Sequence, residues 1–122
     1  MRSIQLFSLL LVLFAPVSLV AGEADVVDVA IRRSADATFA FDVTVRHDDT
    51  GWEHYANKWE VVAPDGTVLG TRVLHHPHET EQPFTRSLSG IKIAATIKSV
   101  TLRAYDSQHG AGGATKTVQV PH

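Results

Sequence analysis

The sequence predicts an all-β fold, a single antiparallel two-sheet β-sandwich behind a signal peptide. Three observations carry this. Apolar residues alternate with polar ones at period two along most of the chain after residue 25. Turn signals separate the alternating runs at the short intervals of a sandwich. No stretch sustains helical periodicity.

Seven strands follow in order. "VVDVAIRR" (26–33) puts Val27, Val29 and Ile31 on one face. "TFAFDVTVRH" (38–47) is the clearest half-buried strand, with Phe39, Phe41, Val43 and Val45 opposite Asp42, Thr44 and Arg46. "NKWEVVAP" (57–64) directs Trp59 and Val61 inward, and Trp59 reads as core. "PDGT" (64–67) is a turn in which proline presets φ and Gly66 takes a positive φ. "VLGTRVLH" (68–75) and "FTRSLSGIKI" (84–93) come next. "KSVTLRAYD" (98–106) faces Val100, Leu102 and Ala104 inward. "SQHGAGGA" (107–114) reads as a flexible hairpin before the last strand, "TKTVQV" (115–120).

Residues 1–22 have the layout of a secretory signal peptide: basic Arg2, an apolar run from Ile4 to Phe14, then Pro16 and small residues up to Ala24. The run is shorter than the roughly 20 apolar residues a membrane span needs. Cleavage is expected between Ala21 and Ala24, leaving residues 23–122 as one domain with no membrane span. The chain has no cysteine, so thiol lipidation and disulfides are both excluded within it. Stability must come from packing, alone or with a bound ligand. Without Arg2, ten basic residues face thirteen acidic ones, a net charge of −3 with neutral histidines. No basic stripe invites nucleic acid, and no basic amphipathic helix invites a membrane surface.

The segment from Arg86 to Val120 resembles the last three strands of a fibronectin type III or immunoglobulin-like domain. Trp59 falls where such domains bury a tryptophan on the third strand. The resemblance implies a seven-stranded immunoglobulin-like sandwich and no particular chemistry. Two family features are missing: Ile97 and Lys98 stand where a tyrosine opens the sixth strand, and there is no inter-sheet cysteine pair. "HYANKWEV" and "PFTRSLSG" are similar to segments of small uncharacterised exported bacterial proteins, a likeness that carries no activity.

In such a sandwich, alternate loops share an end. The loops 47–56, 74–83 and 106–113 then gather six of the seven histidines at one end, and His122 hangs off the other. Imidazoles ligate Cu(II), Zn(II) and Ni(II), and carboxylates can complete the shell. With Met1 removed and no cysteine, a soft Cu(I) site is unavailable. Within "LHHPHETEQP" (74–83), His76 and His78 share a face across Pro77, while His75 points away. His109 sits in a glycine-rich loop. These spacings rank His76, His78 and His109 first as metal ligands, then His47 and His54, with His75 last. A solvated histidine-rich loop end explains the same composition, because no H-E-x-x-H or similar signature is present.

Trp52 and Tyr55 either close the open end of the sandwich, the favoured reading, or contact a partner. Ser107 with Asp106 and His109 is too tightly spaced for a hydrolase triad. "GAGGA" has neither the helix nor the Lys-Ser/Thr pair of a phosphate loop, and "DDTG" lacks EF-hand spacing. The expectation is a periplasmic or secreted protein that is not an enzyme and binds a divalent transition metal. The alternative is a protein–protein interaction or accessory module of the cell envelope with no metal. Clustered imidazoles could also serve as a pH sensor.

Overall fold

The computed structural model describes residues 22–122; the expected signal peptide at 1–22 lies almost wholly outside them. Among the described residues there are eight strands and no helix. They are β1 (Asp25–Arg33), β2 (Phe39–Arg46), β3 (Ala56–Val62), β4 (Val68–Val73), β5 (Phe84–Ile91), β6 (Ser99–Asp106), β7 (Gly110–Ala111) and β8 (Lys116–Gln119). The seven expected segments all form strands. The eighth, β7, is a two-residue return inside the 107–114 loop, pairing with Tyr105 and Asp106.

The strands make two antiparallel sheets. One has the order β1-β2-β5 and the other β4-β3-β6-β7, with β8 also on β6. A single cluster of buried side chains draws on both: Val26, Phe39, Phe41, Val43, Val45 and Phe84 from one, Trp59, Val61, Val100, Leu102 and Ala104 from the other. β2 and β6 present alternate residues to it, as the pleat requires. Trp59 is fully buried, and among the described residues its indole N–H has no acceptor. Gly66 adopts φ 89° in the "PDGT" turn, as that turn demands.

One face assignment differs from the sequence expectation. Val26, not Val27, is the buried residue at the start of β1. The pairing with β2 skips at this point: Val26 faces Val45, and Asp28 faces Thr44. Val27 is the extra residue of a bulge, which restores Val29 and Ile31 to the inward face.

Contacts join the loops 47–56, 74–83 and 106–113 at one end. Ser107 N donates to Tyr55 O at 2.9 Å, and His78 N donates to Asp49 Oδ2 at 2.7 Å. Away from them, His122 lies edge-on to Phe39 and bonds Ile97 O through Nε2.

Candidate metal centre

The inward alternation of β2 does not stop where the strand does. Phe41, Val43 and Val45 are followed at the same period by His47 and Asp49, both buried. On β6, Val100, Leu102 and Ala104 are followed by buried Asp106. His54 is buried two residues before Ala56, the first inward residue of β3. Three strand ends thus push polar groups into the edge of the apolar core. A tight turn sets His54: Gly51 has φ 124°, and His54 N returns to Gly51 O at 3.2 Å.

These groups meet. Ligand atoms of His47, His54 and Asp106 all lie within 4.8 Å of one another. His47 Nε2 is 3.3 Å from His54 Nε2, and His54 Nε2 is 3.1 Å from Asp106 Oδ1. Atoms bound to one ion at about 2.05 Å stand roughly 3.3 Å apart at the tetrahedral angle and about 2.9 Å at a right angle. Both separations fall in that interval, so each of these two pairs is spaced as neighbouring ligands of one ion would be.

A second layer of bonds fixes the layout. The carboxylate of Asp49 can only accept, so His47 Nδ1 donates to it, at 2.6 Å, while Nε2, which donates to the Gly22 carbonyl at 2.9 Å, borders the site. Asp49 also accepts from Ala56 N and His78 N. Gln82 Oε1 accepts from His47 N, and Gln82 Nε2 donates to His78 O. Asp106 Oδ1 accepts the amides of Gln108 and His109 at 2.9 and 2.8 Å. A carboxylate behind a histidine ligand is a recurrent way to hold ring and tautomer.

Proton affinities follow. For His47, burial alone disfavours the charged ring. The bond to Asp49, the charges of Asp49 and Asp106 and the Gly22 carbonyl outweigh burial and raise its pKa. Asp49 and Asp106 are buried, which disfavours their anions. The His47, His78 and Ala56 bonds to Asp49 nevertheless hold its pKa below the usual carboxylate range. The His109 and Gln108 amides and the His109 ring do the same for Asp106.

The remaining expected ligands sit elsewhere. His109 Nδ1 contacts both Asp106 oxygens, at 3.1 and 3.2 Å, and its ring lies 5.0 Å from that of His54. It borders the centre through Asp106. His76 and His78 form their own pair, with ring centroids 4.7 Å apart. His78 is buried and stacked on Phe84 at 4.0 Å, while His75 and His76 are exposed. Among the described residues, no group combining His76, His78 and His109 converges on a point. Density along the chain ranked the proline-flanked cluster first; convergence in space selects the strand ends. Asp106 and Asp49 were not singled out by spacing. Their position in the inward alternation is the signal that could have found them.

Trp52 does not close the end of the fold. It is 66% exposed, edge-to-face with Tyr55 at 5.7 Å. It sits at the tip of the Gly51–His54 turn, which directs His54 inward and the tip residues out. Ser107 Oγ bonds Tyr55 N and Glu53 O rather than His109. The glycine-rich hairpin is closely packed: a Cβ at Gly113 would overlap the Ala24 carbonyl, and one at Gly112 the Glu23 carboxylate.

No protein-family model matches the chain. A protein of Halomicrobium mukohataei named "Putative lipoprotein" is 41% identical over 96 residues, which is 79% of this chain and 47% of that protein. The chain therefore spans about half the length of the curated relative it matches. The crystal structure of a hypothetical protein from Pyrococcus horikoshii OT3 superposes with a TM-score of 0.51 at 14% identity, covering 82% of this chain and 88% of that one. At that identity the likeness concerns the fold.

Proposed function

We propose that this chain is an exported, immunoglobulin-like β-sandwich that binds one divalent transition metal through His47, His54 and Asp106. The observation that carries the reading is the spacing of three buried ligand atoms, 3.3 and 3.1 Å apart along two edges. In the absence of an ion these atoms bond one another and the neighbouring backbone, and a cation would replace the contacts among them at once. Two imidazoles and a carboxylate suit Zn(II), Cu(II) or Ni(II). We read the role as binding, and Ser107 Oγ is bonded to Tyr55 N and Glu53 O rather than to His109. The strand order β1-β2-β5 against β4-β3-β6 supports the sandwich. The relative's name supports an envelope or exported location, although lipid attachment through cysteine has no residue here.

The test is titration of the purified chain with Zn(II), Cu(II) and Ni(II), read by native mass spectrometry. One ion per chain, lost in His47→Ala and His54→Ala, is the expected outcome. Weak, non-saturating adducts would sink the reading. A second reading rests on exposed Trp52 and its edge contact with Tyr55: a docking surface for an envelope protein. Pull-down from envelope extract should then lose a partner with Trp52→Ala, and an unchanged profile counts against it.

A further inference from the structure

We infer that the outer edge of β4 is a self-association surface: a second copy of the chain pairs with it antiparallel, about a dyad at Thr71, and extends the β4-β3-β6 sheet. The inference is independent of the metal reading above.

β4 ends its sheet and pairs only with β3. Leu74 N donates to Asn57 O at 2.9 Å, just beyond the Lys58–Val73 pair. Hydrogen-bonded and non-bonded pairs alternate along an antiparallel ladder. Gly70 and Arg72 therefore direct their main-chain groups to β3, while Thr71 and Val73 direct theirs to the free edge. Such an edge is a template for another strand.

The side chains are self-complementary as well. The pairing skips Leu69: Val61 faces Gly70, and Val62 faces Val68. This bulge brings Val68 to the same outer face as Thr71 and Val73. Burial agrees, with those three exposed and Leu69, Gly70 and Arg72 half-buried beneath them. Three large hydrophobic side chains are exposed among the described residues, and two of them are Val68 and Val73. Other edge strands expose polar groups instead: Asp28, Arg32 and Arg33 on β1, Lys116 on β8, Thr85, Ser87 and Ser89 on β5. The one charge on β4, Arg72, is turned to the other sheet and bonds Ser87 O at 2.8 Å. No charge on β4 itself therefore opposes a second copy.

With Leu69 bulged out, Thr71 lies midway between the two valines. Placed on a dyad, it exchanges N–H···O bonds with its own copy. Val73 of one chain then lies across from the Val68–Leu69 bulge of the other. Both valines are on the outer face, where β-branched cross-strand pairs stabilise a sheet, and symmetry makes the contact twice. The edge is only six residues long. Stable interfaces bury about 1,200 Å² or more, so this dimer forms and dissociates with concentration.

The test is sedimentation velocity of the purified chain over a range of concentrations. Chelator is present, so that ions cannot join copies through exposed His75 and His76. A mass rising with concentration toward twice that of one chain is expected. Two variants share Val73→Glu, which keeps Lys58 as its neighbour on β3. In Val68→Glu/Val73→Glu, carboxylates meet across the dyad, and the dimer should weaken about tenfold or more. In Val68→Lys/Val73→Glu, an ammonium meets a carboxylate twice, and affinity should return to within about threefold of wild type. Urea midpoints close to wild type show that both variants fold. Hydrogen exchange on the wild-type chain needs no variant: the Thr71 and Val73 amides should be protected at high concentration and lose that protection on dilution. A wild-type chain that stays monomeric up to about 1 mM, the weak end of specific association, with both amides exchanging freely, overturns the proposal and leaves the edge to solvent or a foreign strand. A dimer that persists in Val68→Glu/Val73→Glu places the contact elsewhere. A dimer lost equally in both folded variants rules out antiparallel pairing about Thr71.

Discussion

His47 and His78 are both buried, both lie at the same end of the fold, and both are tied to Asp49. Their proton affinities nevertheless move in opposite directions. Burial disfavours the charged ring of each. Around His47, two carboxylates and a carbonyl overcome that and raise its pKa. Around His78, the Arg86 guanidinium and the His76 ring reinforce burial and lower it, against a weaker pull from Asp49 and Glu81. Charge neighbours, not histidine content, decide which imidazole environment can welcome a cation. The His47 side has carboxylates facing inward; the His78 side already holds the cation Arg86, whose Nη2 lies 2.9 Å from His78 Nε2.

Asp49 belongs to both regions, so removing it tests their linkage most severely. Its side chain is fully buried and accepts from His47 Nδ1, Ala56 N and His78 N. Asp49→Ala leaves three buried donors without an acceptor. The expected loss is about 3–5 kcal/mol, the usual result of stripping one partner from a buried charged pair. Urea denaturation of the metal-free chain at neutral pH measures it. A loss below about 1 kcal/mol would mean that water replaces the carboxylate and that the two regions are not joined through it.

Metal affinity should separate the regions next. His47→Ala and His54→Ala should each weaken Zn(II) binding by more than about a hundredfold, since removing even an outer partner of a ligand costs roughly 10–100-fold. His76→Ala and His78→Ala should stay within about threefold, because neither ring reaches the centre. Reversal of that order in a competition titration would return the site to the proline-flanked loop. The pH dependence follows from the same proton. His47 has a raised pKa, so its folded-state advantage is complete below its ordinary value of 6.5 and is lost as pH rises through the raised value. The metal must displace that proton. Affinity should therefore increase with pH above 6.5 until His47 is neutral, and a pH-independent Kd between 6 and 8 would contradict it.

The strand faces were legible because one side of each strand is buried, and a slip of one residue would expose the whole apolar set. That is why "TFAFDVTVRH" and "KSVTLRAYD" read correctly from sequence. Val27 was misplaced because a bulge adds a residue without changing composition. Trp52 was misplaced because an aromatic side chain signals burial on average, whereas its exposure was set by the turn that buries His54. The site was partly legible. Loop assignment brought the right three loops together, and His47, His54 and His109 were among the candidates. The ranking followed local density, and "HHPH" is dense. Convergence depends on where strands end, and the informative pattern was a polar residue continuing an apolar alternation, as His47, Asp49 and Asp106 do.

His78→Phe gives the smallest expected effect and the cleanest contrast between the two environments. Arg86 can only donate, so His78 Nε2 must accept from it and the neutral ring carries its proton on Nδ1. Nδ1 is buried and among the described residues has no partner. Phenylalanine keeps the stack on Phe84 and removes that orphaned group, at the expense of the Arg86 contact. These changes oppose each other, so stability near pH 7.5 should move by less than about 1 kcal/mol. Acid should reveal the difference. His78 has a lowered pKa, so below 6.5 the unfolded chain binds a proton that the folded ring refuses. Wild-type stability therefore falls as pH drops from 6.5 toward the lowered value, and His78→Phe should lose that part of the slope. His47 has the opposite shift and is present in both proteins, so the difference between the two slopes reports His78. Denaturation midpoints at pH 7.5, 6.5 and 5.5 measure it, and parallel profiles for the two proteins would show that Arg86 does not keep His78 neutral.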